Sequence, residues 1–200
     1  MAGSGVGVTA GYLIGLCGAP SAGKTTTAHA LRAELRGTGA TVEAVREYAR
    51  HWIERCGVPE GIFEQMLIQD GQTKWERQAQ GIYDVVISDS PRWLSYIYAT
   101  ALFHVEDTKS HLALVRLYEL ALRALKDYNR IYLLPPPVCV SQDRVRIQNE
   151  DDAIYLHGCI YNFLRMHNVE FHQFESGMTA QEMARVIATH LGADMLESGG

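Results

Sequence analysis

Along this chain, short apolar runs alternate with longer stretches in which apolar residues return every third or fourth position. The runs are YLIGLC at 12–17, TVEAVRE at 41–47, DVVISD at 84–89, RIYLLP at 130–135 and VEFHQF at 169–174. Their length and content are those of strands. The stretch KTTTAHALRAELR after the first run sets Ala28, Leu31 and Leu35 on one stripe, the period of a helix. Further helices are expected near 49–56, 60–80, 91–103, 108–127, 150–167 and 179–191. Alternation of this kind predicts an α/β architecture, a five-stranded parallel sheet flanked by helices and closed by right-handed crossovers. A single domain is expected over 11–192, with 1–10 and 193–200 as flexible termini.

Composition narrows this picture. Two hundred residues, 47% of them hydrophobic, suffice for one domain with a substantial core, and a second full domain is not expected. A net charge of −5 argues against a strongly basic nucleic-acid binder, although a local basic cleft stays compatible with it. Cys17, Cys56, Cys139 and Cys159 lack C-x-x-C spacing, so reduced structural thiols are expected rather than zinc or a redox pair. The eight histidines are scattered and form no H-x-x-x-H pattern. No stretch reads as a signal peptide or as a membrane span, so no membrane association and a cytoplasmic location are expected.

The densest chemistry lies in GLCGAPSAGKTTTA, residues 15–28. Gly18, Gly23, Lys24 and Thr25 match G-x-x-x-x-G-K-[ST], the phosphate-binding P-loop, and a predicted strand and helix flank it in the required order. Small residues leave the backbone N–H groups bare, and the positive helix end adds to their pull on a nucleotide's phosphates. Gly18, Ala19, Pro20, Ser21, Ala22, Gly23, Lys24, Thr25 and Thr26 are therefore the expected ATP-binding residues. Lys24 would meet the β- and γ-phosphates, and the Thr25 hydroxyl would ligate Mg²⁺.

Ligands of open parallel sheets gather at the carboxyl ends of the strands, which turns the strand list into a site list. Asp89 closes the third strand and fits either water-mediated Mg²⁺ binding or proton acceptance; the alternative is a helix N-cap, a job to which Ser90 is better suited. Glu47 closes the second strand beside Tyr48 and Arg50; it fits a general base, or else a surface salt bridge to Arg46 or Arg50. Arg144 and Arg146 precede an acidic helix start and would stabilise charge on a transferring phosphoryl group as an arginine finger does, unless they only pair with Glu150, Asp151 and Asp152. Most aromatic residues between positions 48 and 96 are expected in the core. Tyr48, Arg50, Trp52, Gln69, Arg92 and Trp93 are the candidates for contact with an acceptor.

Taken together, GAPSAGKTTTAHAL, VREYAR, VVISDSPRWLSYIYA, YNRIYLLPP and DRVRIQNEDDA resemble the NadR-like group of P-loop kinases over residues 11–175. That group includes nicotinamide riboside kinase domains and phage-encoded relatives, some of which phosphorylate 5-hydroxymethyluracil in DNA, and it lies near thymidylate and deoxynucleoside kinases. The resemblance implies ATP- and Mg²⁺-dependent phosphoryl transfer to a hydroxyl of a nucleoside-type acceptor, free or within DNA, with a lid arginine at Arg146 and acids at Glu47 and Asp89. For a phage-encoded chain, the compartment would be the host cytoplasm. Asp143-Arg144-Val145-Arg146 stands where relatives often read Asp-Gly-Val-Arg, an added positive charge that a more anionic acceptor would explain. A nucleotide-dependent switch ATPase is the competing reading; it lacks support from a second acid after Asp89, where Ser90 stands, and no N/T-K-x-D guanine motif is present. A homodimer through the 108–127 helix is a further expectation.

Overall fold

The computed structural model describes residues 10–137 and 150–197; Arg144 and Arg146, and with them the expected lid, lie outside the described residues. Five strands, β1 (Tyr12–Cys17), β2 (Val42–Val45), β3 (Val85–Ser88), β4 (Arg130–Leu133) and β5 (His172–Gln173), form one sheet in the order β2-β3-β1-β4-β5. Every neighbouring pair is parallel. The helices are α1 (Lys24–Leu35), α2 (Tyr48–Cys56), α3 (Ile62–Gln80), α4 (Leu94–Leu102), α5 (Thr108–Leu125), α6 (Glu150–Met166) and α7 (Ala180–Glu197).

Alternation along β1 explains why helices cover both faces. Leu13 and Cys17 enter a core with Val86, Trp93, Leu133 and Phe163. Ile14 and Leu16 enter the opposite core, with Leu31 of α1 and Ile187 and Leu191 of α7. Strand β1 is central, and its C-terminal end is pinned from β4, where the Leu134 N–H donates to the Cys17 carbonyl at 2.9 Å. On the other side, the Asp89 N–H donates to the Val45 carbonyl at 3.0 Å, locking the end of β3 to the end of β2. Four strand ends thus meet at one rim.

Several elements differ in extent from the sequence expectation. Strand β2 stops at Val45, because Glu47 is already the N-cap of α2. Helix α4 starts at Leu94 rather than near 91; Pro91 to Trp93 form a turn closed by the Leu94 N–H on the Pro91 carbonyl at 2.9 Å. Strand β5 contributes only two residues, with His172 and Gln173 both exposed. Helix α7 runs to Glu197, past the expected end near 191. Asp194 holds that last stretch, accepting from Arg130 Nε at 2.9 Å, from Arg130 Nη2 at 2.6 Å and from the Tyr12 hydroxyl. The chain from 193 therefore begins as an anchored helical turn rather than as loose chain.

Candidate active site

A cavity of about 570 Å³ opens at the rim where β1, β2 and β3 end. Its lining combines the polar residues Ser21, Lys24, Thr25, Glu47, Arg50 and Ser90 with apolar residues from α2, α4 and their flanking connections, among them Ile53, Val58, Leu94 and Phe103. The volume lies within the roughly 300–1,000 Å³ of small-molecule sites.

The loop between β1 and α1 owes its shape to its small residues. Ser21 and Gly23 take positive φ values of 65° and 84°, and Gly23 serves as N-cap of α1 without a side-chain cap. The first N–H groups of α1 are thus unsatisfied by any cap side chain, which is the arrangement that attracts an anion. Lys24 is buried, and its Nζ donates to the carbonyls of Gly18 at 3.0 Å and Ala19 at 2.9 Å, folding the lysine back over the loop. Pro20, Ser21, Gly23, Lys24, Thr25 and Thr26 reach the cavity wall, whereas Ala19 and Ala22 are buried behind it.

Asp89 is 5% exposed. Its Oδ2 accepts from Thr25 Oγ1 at 2.6 Å, while its Oδ1 is buried with no hydrogen-bond partner. Burial pushes the carboxyl up to about 6; the Thr25 hydrogen bond and Lys24 pull against it, and the Glu47 charge adds to the rise. An orphaned carboxylate oxygen beside a hydroxyl is a donor set of hard oxygens, which fits Mg²⁺ held by one carboxylate and substrate phosphates. No group of three or more His, Cys, Asp or Glu side chains fit to hold a metal by themselves occurs among the described residues.

Glu47 lines the cavity and makes no side-chain cap bond to α2. Arg50, one turn on, lines it too, and its charge acts on Asp89. Lys24, Thr25, Glu47, Arg50 and Asp89 are therefore brought together. Four other sequence candidates go elsewhere. Trp93 is fully buried and stacks on Phe163 with ring centroids 5.8 Å apart, so it is a core residue and not a platform for an acceptor. Tyr48 leans away from the cavity, edge-on to Trp75 at 4.7 Å, and anchors α2 to α3. Gln69 is buried outside the cavity lining, and Trp52, partly exposed on α2, does not line it either. Arg92 does line the cavity, but it is 3% exposed and committed through Nη1 to Glu76 and through Nη2 to Asp127. Its charge is balanced within the protein rather than offered to an anionic acceptor.

Of the polar stripe of α3, the sequence pointed to Gln69 alone, and Gln65, Gln72 and Glu76 were missed. Gln65, Gln69, Gln72 and Glu76 are all buried, and Gln65 and Gln72 line the cavity. Glu76 is fully buried and accepts from Ser88 Oγ at 2.6 Å, from the Tyr128 hydroxyl at 2.9 Å and from Arg92. The signal was present as spacing: polar residues at 65, 69, 72 and 76 recur at the helical period where apolar residues would be expected to face a core.

A family model described as an AAA domain matches residues 13–182. No curated protein matches the chain. Among solved structures, a NadR protein in complex with NAD and AMP-PNP is similar at 16% identity and TM-score 0.69, over 90% of this chain and 49% of that one. A NadR protein in complex with NR is similar at 16% identity and TM-score 0.65, over 84% and 44%. Deoxyadenosine kinase from M. mycoides with bound dATP is similar at 17% identity and TM-score 0.63, over 90% and 99%. The chain thus spans about half the length of the NadR chains and nearly all of the deoxyadenosine kinase. At these identities the likeness is one of fold.

Proposed function

The chain belongs to the AAA domain family, and from that premise we propose that it is an ATP-dependent kinase which transfers the γ-phosphoryl group to a hydroxyl of a free nucleoside-type acceptor. The observation that carries this reading is a cavity lined together by a phosphate-binding loop, a carboxylate free of capping duty and a set of apolar side chains. A switch ATPase needs the first of these and has no use for the third. The NadR structure with NR and the kinase with dATP share this fold, which makes a nucleoside the natural acceptor class.

Each residue has a definable task. The N–H groups of the loop and Lys24 hold the phosphates, with Lys24 exchanging the Gly18 and Ala19 carbonyls for phosphate oxygens. Thr25 and Asp89 would hold Mg²⁺, which when bound neutralises charge on the β- and γ-phosphate oxygens. Glu47 accepts the proton of the attacking hydroxyl, and the oxygen then forms its bond to the γ-phosphorus as the bond to the β-phosphate oxygen breaks. Ile53, Val58, Leu94 and Phe103 cover the acceptor's ring and exclude water from the transfer.

Nicotinamide riboside is one acceptor of this class. The cavity's size favours a free nucleoside over 5-hydroxymethyluracil within DNA, which would first have to be flipped from its stack. The test is incubation with labelled ATP, Mg²⁺ and separate pools of nucleosides, nucleotides and hydroxymethylated DNA. Label in the nucleoside pool is expected. Label only in DNA, with binding that falls steeply in salt, would move the acceptor to the polymer. Rapid ATP hydrolysis with no labelled acceptor would overturn the kinase reading.

A further inference from the structure

A helix N-terminus needs acceptors for its first N–H groups, and a side chain at the N-cap ordinarily supplies one. Helix α2 has an acidic N-cap residue, Glu47, that supplies none. An acceptor comes instead from another helix: the Tyr48 N–H, first in α2, donates to Oε1 of Gln72 on α3 at 2.7 Å. Gln72 is 2% exposed, so its amide has little access to water and is oriented by its protein partners.

Those partners leave it one orientation. The Gln72 Nε2 donates to Glu76 Oε1 at 3.3 Å and to Ser88 Oγ at 3.4 Å. Ser88 Oγ in turn donates to Glu76 Oε1 at 2.6 Å, so its hydrogen is spent and only its lone pairs face Gln72. The Glu76 carboxylate, paired with Arg92, presents acceptors alone. Both neighbours therefore require the NH₂ side of the Gln72 amide, and the carbonyl oxygen is turned toward α2.

We propose that Gln72, oriented by Glu76, is a positioning residue that pins the first N–H of α2 and thereby keeps the adjoining Glu47 carboxylate at the cavity. This assignment rests on the reading of Glu47 as the proton acceptor, but its structural half can be tested without the reaction. Once Gln72 is gone, the Tyr48 N–H loses its acceptor and the start of α2 is no longer tied to α3 at this point, so it shifts and carries the adjoining Glu47 with it. The carboxylate then leaves the cavity.

The experiment is a double-mutant cycle with Gln72→Leu and Glu47→Gln, alone and combined, corrected for the folded fraction of each protein. Gln72→Leu is expected to lower the turnover of phosphoryl transfer at least tenfold while the Kd for an unhydrolysable ATP analogue stays within twofold. In the Glu47→Gln background the same change is expected to have no further effect. Independent, multiplying effects in the cycle would overturn the proposal, as would equal losses in ATP binding and turnover. Gln72→Met takes the place of the leucine variant if that one does not fold. A crystal structure of the variant gives the reaction-independent readout: a displaced start of α2 with Glu47 moved out of the cavity supports the proposal, and Glu47 still facing the cavity refutes it. If the wild-type protein phosphorylates no hydroxyl at all, the kinase reading fails, and this structural outcome still decides whether Gln72 holds Glu47 at the cavity.

Discussion

The Thr25 hydroxyl donates to Asp89 Oδ2 at 2.6 Å, tying the first turn of α1, which lines the cavity, to the end of β3. The same carboxylate keeps its other oxygen buried and unpartnered. Burial has raised the group to about 6 from an ordinary 3.8, so the folded protein holds this proton more tightly than the unfolded chain does. Stability attributable to Asp89 is accordingly greatest below pH 4 and is lost as pH rises through about 6. At pH 7 the ionised carboxylate is a burden on the fold. Asp89→Asn is expected to raise unfolding stability at pH 7 by on the order of 2 kcal/mol, with the gain vanishing toward pH 4. Urea titrations of both proteins in EDTA across that range check the sign. Phosphoryl transfer by the variant should fall at least about a hundredfold, an exchange of stability for function.

Lys24 and Glu47 should separate when each is removed. Lys24→Ala takes away the cation facing the phosphates and leaves the Gly18 and Ala19 carbonyls without their donor. Both ATP affinity and transfer should collapse, with a loss of about 1 kcal/mol in stability. Glu47→Gln removes a side chain that makes no cap bond, so folding and ATP affinity should hold. Turnover should fall by about 10²- to 10⁴-fold, the usual worth of a general base. Calorimetry with an ATP analogue beside transfer assays distinguishes the two patterns; ordinary turnover for Glu47→Gln would remove it from the chemistry.

Trp93 sits two positions from Ser95, which lines the cavity, yet it stacks on Phe163 inside the core. Trp93→Ala should therefore cost about 3–5 kcal/mol of stability. Acceptor KM per folded molecule should stay within about threefold of wild type. A large rise in KM at undiminished stability would return this residue to the acceptor site.

The contrast between Trp93 and Asp89 marks what could be read in the sequence. A phosphate loop depends on small residues in a fixed local order, so Gly18 to Thr26 stood out, and strand-end position then pointed to Glu47 and Asp89. Five parallel strands followed from apolar runs that must be buried on both faces. What escaped depends on the rotation of helices about their own axes. Whether Trp52, Gln69 or Trp93 turns toward the cavity is decided by how α2, α3 and α4 pack on one another, and adjacent sequence carries little of that. Gln72 and Glu76 were overlooked for a related reason. Two polar residues four apart on a helix ordinarily mark a solvated face, and only Ser88, Arg92 and Tyr128, distant in sequence, make them a buried network.

Gly71 offers a test of how α2 is seated. A Cβ at this position would lie 2.2 Å from Cε1 and Cζ of Tyr48, whose ring is wedged between Gly71 and Trp75. On an isolated helix, glycine to alanine gains about 1 kcal/mol. Here Gly71→Ala should instead lose about 1–3 kcal/mol, because the Tyr48 ring must leave its seat. Moving Tyr48 moves the first residue of α2 and, with it, the adjoining Glu47, so turnover should drop further than ATP affinity. In a Tyr48→Ala background the obstacle is gone, and Gly71→Ala should become stabilising by about 1 kcal/mol. Thermal unfolding of the four proteins in this cycle reads the reversal of sign. If Gly71→Ala destabilises equally with and without the tyrosine ring, the close approach of Tyr48 is not what glycine at 71 serves.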